Sequence, residues 1–231
     1  MNISRRETIT ALAALSVAAA RVTDATAGQA PPQLDPNKLV ETPLRNIAQL
    51  ALKPDGSAVE FPPEMAGNIE GRPFWKGQAP DIEHDFQKMK VKVDGRGTTT
   101  LSGTLTASDL QKLPRHTQIT LLQCGAPTPR GIVKWTGVRF SDFANSIGAQ
   151  KFANFVRCTA ADDYYLDEDI NIMMHPQVML AWMMNDRPLP PEFGAPMRLI
   201  VPFRYGARSI KAITSIAFTA TSFPPQKPWP A

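Results

Sequence analysis

The sequence predicts a mixed α+β fold in which short helices and strands interleave without a regular βαβ alternation. The chain has 231 residues, of which 43% are hydrophobic and 20% charged, as expected for one ordinary globular domain. Its 22 prolines are nearly twice the usual share of about 5%. Such a composition favours long ordered loops over a bundle of long helices. We therefore expect a largely buried mixed sheet, short helices and long proline-rich loops.

The first predicted elements lie just after the proline-rich N-terminal part. Apolar and polar residues alternate over residues 89–94, which predicts a half-buried strand. A short helix is predicted over residues 108–113, where Thr106 or Ser108 would cap it and Pro114 would end it.

A second strand, predicted over residues 119–122, runs almost directly into Cys124. The segment after this cysteine, GAPTPRG, is too rich in proline and glycine to be regular structure. Cys124 is therefore placed where a strand gives way to a loop, a common location for functional residues.

The C-terminal half predicts two more helices and three strands. Ser141 would cap a helix over residues 142–147, and Gly148 would end it. A helix over residues 176–184 is predicted from Pro176 and from methionines at helical spacing, which are expected to be core residues. The strands are predicted at residues 155–156, 197–201 and 210–218.

The N-terminal residues 1–27 have the pattern of an export signal. Arg5 and Arg6 precede a mildly apolar run, and an Ala-Thr-Ala cleavage site precedes Gly28. The paired arginines resemble a twin-arginine signal, and an ordinary secretory signal is the alternative. The apolar run is too short to span a bilayer, so we expect a soluble periplasmic protein without stable membrane insertion.

The rest of the chain divides into three predicted regions. Residues 28–80 form an irregular arm, rich in proline and glycine, that packs on the domain. Residues 81–222 form the domain itself, and residues 223–231 form a proline-rich tail.

The charge of the chain bears on a nucleic-acid partner, and its two cysteines bear on disulfide bonding. The chain has 25 Lys and Arg against 21 Asp and Glu, a net charge of +4 without a block of like charges. We therefore expect no nucleic-acid partner. The two cysteines, Cys124 and Cys158, allow either one disulfide bridge or two separate thiols.

Several common catalytic signatures are absent from the sequence. It contains no glycine-rich phosphate loop and no Gly-x-Ser-x-Gly turn. His84, His116 and His175 lack the spacing of zinc ligands, and no Cys-x-x-Cys-His haem attachment occurs. A secreted hydrolase therefore has little support in the sequence.

Four segments, in order, carry a recognisable pattern. Residues 190–213, PPEFGAPMRLIVPFRYGARSIKAI, contain Gly-x-Pro-x-Arg followed by Gly-x-Arg-x-x-Lys. Upstream lie DLQKLP, LLQCGAPTPRGIVKWTGVRFSDF and DDYYLDEDINIMMHPQVMLAWMMNDRPL. Together these segments resemble the molybdopterin-binding domain of the sulfite oxidase family, and the chain's size resembles its single-domain exported members. The resemblance implies that family's fold and its molybdenum–molybdopterin cofactor.

The resemblance implies that Cys124 is the protein ligand of the molybdenum. A thiolate is the soft, anionic ligand that such a metal prefers. Two other interpretations remain open from the residues alone: a small buried hydrophobic side chain, and a disulfide between Cys124 and Cys158. The resemblance disfavours the bridge, because a bridged sulfur cannot ligate a metal.

The resemblance also implies which residues hold the pterin and its phosphate. Arg198 offers a planar fork of N–H donors and Lys211 a point charge, both suited to an anionic group. The family uses groups around Ser209 and Ile210 at the same place. The remaining implied cofactor contacts are Thr159 and Asp162 and, in a looser alignment, Trp75, Lys76 and Gln78.

The substrate side of the site departs from the sulfite oxidase pattern. In that family, cations near the ligand cysteine help to hold a doubly charged oxyanion, and here only Arg130 and Lys76 could substitute for them. Phe193 stands where relatives often carry His or Asn. Tyr164 is a candidate catalytic proton donor, with a core aromatic as the alternative. Sulfite is therefore not assigned as the substrate.

We predict a periplasmic molybdenum–molybdopterin oxidoreductase that transfers an oxygen atom or electrons to or from a small molecule of the sulfite or sulfoxide type. Because the chain carries no second redox motif, electrons would pass through a separate haem or quinone-linked partner. The alternative is an exported, non-catalytic binding module that keeps the fold without molybdenum. Phe193 and the loop after Cys124 motivate that alternative.

Overall fold

The computed structural model describes residues 48–69, 74, 76–125 and 131–224. The export signal predicted at residues 1–27 lies outside these residues, as do Trp75 and Arg130. The strands are β1 (Lys90–Asp94), β2 (Gly103–Thr106), β3 (Arg115–Leu122), β4 (Gly131–Arg139), β5 (Phe155–Ala160), β6 (Tyr165–Asp169), β7 (Met179–Met184), β8 (Arg187–Pro188), β9 (Arg198–Ile200) and β10 (Ile213–Thr219). The α-helices are α1 (Ala107–Gln111), α2 (Phe140–Ser146) and α3 (Ile170–Met173).

Two sheets organise these strands. Sheet I has the order β2-β1-β10-β5-β6, in which β1 and β10 are parallel and the other neighbours antiparallel. Sheet II has the order β3-β4-β7-β8, and β9 also pairs with β7; its pairs are all antiparallel. Short 3₁₀ turns lie at Pro63–Met65, Phe86–Lys88, Pro191–Phe193 and Gly206–Arg208.

Strands β4 and β7 of sheet II have apolar clusters on both faces. The larger apolar cluster joins the two sheets and includes Val156 and Ile216 of sheet I with Leu180 of sheet II. A smaller cluster covers the other face of sheet II and includes Trp135 and Met179. The largely buried sheet that the sequence predicts is therefore present, with one apolar cluster on each side of β7.

The helix predicted over residues 176–184 is wrong, because Met179–Met184 form β7. Neighbouring residues of this strand pack into different clusters: Met179 enters the smaller cluster and Leu180 the larger one. A strand buried on both faces reads as a continuous apolar run, and such a run cannot be told from a buried helix by periodicity. Met179 and Met184 are buried and Met183 packs partly buried against the larger cluster, which confirms the prediction that these methionines belong to the core.

Strand β4 was not predicted from the sequence. Gly137 in its interior gives it a residue that is unusual in a strand. A Cβ atom at this position would lie 1.9 Å from the carbonyl oxygen of Leu180 in β7. The β4–β7 register shifts between Thr136 and Gly137, which marks a bulge at this close approach. Glycine in a strand interior usually argues against a strand, and here it permits the contact.

The other predicted elements are confirmed with shifted ends. β1, β3, β5, β9 and β10 overlap the predicted strands, and α1 and α2 overlap the helices predicted at residues 108–113 and 142–147. Gly148 follows α2 with a φ of +68°, the left-handed conformation expected of a helix stop. No helix within the described ranges is long and apolar enough to cross a membrane.

Candidate active site

Cys124 lies two residues beyond the end of β3 and is partly exposed. The carbonyl of the preceding residue, Gln123, accepts a hydrogen bond of 2.6 Å from the backbone N–H of Gly206. The side-chain amide of Gln123 donates to the carbonyl of Cys124 at 3.0 Å. The strand end that carries the cysteine is therefore joined to the turn Gly206–Arg208.

The turn Gly206–Arg208 leads directly into two predicted cofactor residues, Ser209 and Ile210, which are both buried. The hydroxyl of Ser209 accepts the N–H of Val201 at 3.0 Å, and the carbonyl of Ile210 accepts the N–H of Leu199 at 2.9 Å. These bonds hold the loop along β9. The turn that precedes Ser209 and Ile210 is thus bonded to Gln123, the residue before Cys124.

Arg198 is buried in β9 and joins two segments of the site. Its Nη1 donates to the carbonyl of Phe193 at 2.8 Å, and its Nη2 donates to the carbonyl of Ser209 at 2.9 Å. The guanidinium lies 4.9 Å from the centre of the Trp135 ring. Burial lowers the pKa of Arg198 to about 10, so the group remains charged at neutral pH. Its Nε is buried and has no hydrogen-bond partner within the described residues.

Lys211 is half-buried beside the Phe193–Gly194 turn. Its Nζ donates to the carbonyl of Glu192 at 2.9 Å and lies 4.6 Å from the centre of the Phe74 ring. Gly194 has a φ of +106°, and a Cβ there would lie 2.7 Å from the Cβ of Lys211. Burial, with a smaller contribution from the positive charge of Arg198, lowers the pKa of Lys211 to about 8.

The lowered pKa of Lys211 predicts a pH-dependent contribution to stability. Between about pH 8 and its ordinary value of 10.5, the unfolded chain holds more protons at this side chain than the folded chain does. Stability due to Lys211 therefore rises with pH across this window. We expect the Tm of the cofactor-free wild type to rise relative to that of Lys211→Met between pH 8 and 10, measured by circular dichroism. The same comparison with Lys151→Met, at an exposed lysine, should stay constant, and an equal drift there would contradict the prediction.

The turn between β5 and β6 brings further predicted residues to the same place. Asp162 is buried, and its carboxylate accepts the N–H of Tyr164 at 3.3 Å. The phenol of Tyr164 donates to the carbonyl of Ala207 at 2.9 Å, so this side chain reaches the turn next to Cys124. Burial raises the pKa of Tyr164, which keeps its phenol protonated. Thr159 lies in β5, and its carbonyl accepts a hydrogen bond from Thr214.

Of the cofactor contacts predicted in residues 75–78, the structure describes Lys76 and Gln78, and both are exposed. Lys76 forms an ion pair of 2.5 Å with Asp163 in the β5–β6 turn. The residue that covers the site from this segment is Phe74, which is buried over Lys211. Phe74 was not predicted from the sequence, because its contact with Lys211 joins two segments that are distant in the sequence.

The alternative of a bridge between Cys124 and Cys158, which the resemblance disfavoured, is absent from the structure, because no disulfide joins the two cysteines, both of which lie among the described residues. Cys158 lies fully buried in β5, and burial raises the pKa of its thiol to about 12. Such a thiol is chemically inert, whereas Cys124 lies partly exposed.

The residues at this site fit an anionic organic cofactor that carries a metal. No cluster of three or more His, Cys, Asp or Glu in the described part of the chain could hold a metal ion by itself. A single thiol fits a metal whose other ligands are supplied by an organic group. The unpartnered Nε of buried Arg198 and the ammonium group of Lys211 provide positive charge near that thiol's loop.

Comparison with a protein-family model identifies the class of cofactor that this site fits. The model described as "oxidoreductase molybdopterin binding domain" matches residues 76–229. The chain belongs to this family. The predicted family, its oxidoreductase class and its molybdenum–molybdopterin cofactor are therefore confirmed.

Curated relatives agree with the molybdopterin-binding family. YedZ1 of Azospira oryzae, described as a candidate subunit of a protein-methionine-sulfoxide reductase, is 32% identical over 157 residues, which cover 66% of this chain and 58% of that protein. The MsrP protein of Campylobacter jejuni, a protein-methionine-sulfoxide reductase catalytic subunit, is 29% identical over 171 residues, covering 67% and 57%. The chain thus spans less than two thirds of the length of these relatives.

A solved structure supports the molybdopterin-binding fold. The sulfane dehydrogenase SoxCD of Paracoccus pantotrophus matches with a TM-score of 0.55 at 18% identity, covering 84% of this chain and 57% of that chain. At this identity the likeness concerns the fold alone. The predicted α+β class and sulfite-oxidase-type fold are confirmed.

Proposed function

We propose that this domain transfers an oxygen atom to or from a small sulfur compound, and that a sulfoxide is the substrate it favours. The observation that carries the proposal is the 2.6 Å hydrogen bond from Gly206 to Gln123. This bond joins the segment that carries the partly exposed Cys124 to the turn that precedes Ser209, Ile210 and Lys211. It supports a proposal in which a metal ligand and the groups for an anionic cofactor belong to one site.

Each predicted residue has a role in this proposal. Cys124 would ligate the molybdenum through its thiolate. The groups that would hold the pterin and its phosphate are Arg198, Ser209, Ile210, Lys211, Thr159, Asp162, Lys76 and Gln78, with Trp75 proposed from the sequence alone. When bound, the cofactor supplies a metal that changes oxidation state as an oxygen atom is gained or lost.

Tyr164 is the proposed proton donor. Reduction of a sulfoxide to a sulfide and water consumes protons and electrons in equal number, so a protonated group is required near the reacting oxygen. The phenol of Tyr164 is protonated at neutral pH, and burial raises its pKa further from the ordinary value. Its contact with Ala207 holds it at the turn that is bonded to Gln123. Arg130 stays a second catalytic proposal, from the sequence alone.

Two exposed or half-exposed cations of the described residues, Lys76 and Arg208, support a neutral substrate over a dianion. Arg198 donates to two backbone carbonyls, and Lys76 pairs with Asp163. Arg208 is engaged by Glu168. Lys76 and Arg208 each already have a carboxylate partner, so a doubly charged oxyanion such as sulfite would gain little from these two cations. A sulfoxide carries no net charge, and both curated relatives named above are protein-methionine-sulfoxide reductase components.

We further propose that the protein works in the periplasm with a separate electron-transfer protein. The twin-arginine-type pattern at residues 1–27 supports export. The names of both relatives describe subunits, which supports a partner that delivers electrons. A haem or quinone-linked protein would meet this requirement.

The test is the full chain purified from a periplasmic fraction. We expect stoichiometric molybdenum and oxidation of a reduced viologen dye when methionine sulfoxide is added, with slower turnover of sulfite and an electron acceptor. Faster turnover of sulfite would contradict the substrate proposal. A metal-free protein without either activity would instead support the non-catalytic binding module.

A further inference from the structure

We infer that Glu168 and Arg208 form a positioning pair that sets the location of Cys124 through the turn Gly206–Arg208. Neither side chain was predicted as a site residue. The geometric part of this inference is independent of the proposed function, and only its consequence for turnover rests on that proposal.

The pair consists of a buried carboxylate and a half-exposed guanidinium. Glu168 lies in β6 and its side chain is 6% exposed, against 43% for Arg208. Nε and Nη2 of Arg208 reach Oε1 of Glu168 at 2.7 and 2.5 Å, and Nη2 also donates to the carbonyl of Asp167 at 3.3 Å. A buried carboxylate without its partner is strongly disfavoured, so Glu168 holds Arg208 in place.

The turn that Arg208 ends is held at each residue by a different element. Gly206 donates to Gln123 beside Cys124, and the carbonyl of Ala207 accepts the phenol of Tyr164. Arg208 is held by β6 through Glu168. Because the turn is only three residues long, movement at Arg208 displaces Gly206 and releases the strand end that carries Cys124.

Asp167, the neighbour of Glu168, provides a matched control. Its carboxylate accepts two hydrogen bonds from Arg157, at 2.5 and 2.6 Å. Arg157 also lies 4.6 Å from the ring centres of Tyr165 and Phe223. Successive side chains of a strand point to opposite faces, so this ion pair has the same chemistry but lies on the other side of β6.

The experiment measures the rate at which iodoacetamide alkylates Cys124 in the cofactor-free full chain, by mass spectrometry at fixed pH. In Glu168→Gln we expect about a threefold to tenfold faster reaction, because local opening exposes the thiol. In Asp167→Asn we expect a rate within about twofold of wild type. Buried Cys158 should stay unmodified in both variants, which shows that each is folded.

A second readout uses the cofactor-loaded enzyme. Glu168→Gln is expected to shift the electron paramagnetic resonance spectrum of molybdenum(V) and to lower kcat with little change in KM, whereas Asp167→Asn leaves both unchanged. If Glu168→Gln does not fold, Arg208→Lys tests the same link, because lysine keeps the charge and loses the guanidinium fork. Equal alkylation rates in wild type and in the folded variant of the pair would overturn the inference. If Glu168→Gln alkylates faster but wild-type protein purified from the periplasm contains no molybdenum, the inference stands and the proposed function alone is refuted.

Discussion

Replacement of Cys124 by serine is expected to lower molybdenum-dependent turnover at least about a thousandfold. A serine oxygen is a harder and less polarisable donor than a thiolate, so the electronic environment of the metal changes even where the pocket keeps its shape. The fold should survive, because Cys124 lies partly exposed beyond the end of β3. The measurements are turnover with a sulfoxide and a reduced dye, molybdenum content, and Tm.

Cys158 provides the control for this experiment. Cys158→Ala removes a buried sulfur from β5 and is expected to cost about 1 kcal/mol of unfolding free energy. Turnover should stay within about twofold of wild type, because this thiol is buried in the core of sheet I. Retained turnover in Cys124→Ser would place the metal ligand elsewhere. Lost turnover in a folded Cys158→Ala would contradict the assignment of the inert thiol.

Strands whose buried and exposed residues alternate could be predicted from the sequence, because apolar and polar residues then alternate as well. The alternation in β1 gave its position, and the glycine stop after α2 gave that helix end. The helix predicted at β7 is wrong for a physical reason. Both faces of β7 are buried, so the periodicity of its apolar residues does not distinguish a strand from a helix. β6 was missed because acidic residues are depleted in strands, and here arginines from other elements neutralise them.

The sequence identified many of the candidate site residues, but it did not predict which atoms those residues contact. The motif around Arg198 identifies a cation near the cofactor, but it does not say that two backbone carbonyls take its terminal N–H groups. Those partners are set by how the Phe193 and Ser209 segments meet in space. Gln123 and Glu168 gave no signal for the same reason, because each acts through a hydrogen bond between segments distant in sequence.

Arg198 is the buried cation on which the shape of the site depends, and Arg198→Met is expected to destabilise the protein by about 3–5 kcal/mol. Methionine fills much of the volume but leaves the carbonyls of Phe193 and Ser209 without their donor in a buried place. At roughly 2–4 °C per kcal/mol for a domain of this size, Tm should fall by at least about 6 °C. Thermal melts of the cofactor-free protein measure this directly.

Arg198→Lys separates the two functions of this side chain. Lysine keeps a positive charge for an anionic cofactor but cannot reach both carbonyls in the geometry of the guanidinium fork. We therefore expect a Tm between those of wild type and Arg198→Met, and molybdenum content that falls with Tm. Arg187→Met, at an exposed arginine of β8 in the same sheet, should change stability by no more than about 0.5 kcal/mol. If Arg198→Met melted like Arg187→Met, the two buried carbonyls would not need a charged donor, and the Phe193 turn would be held to the Ser209 loop by other contacts.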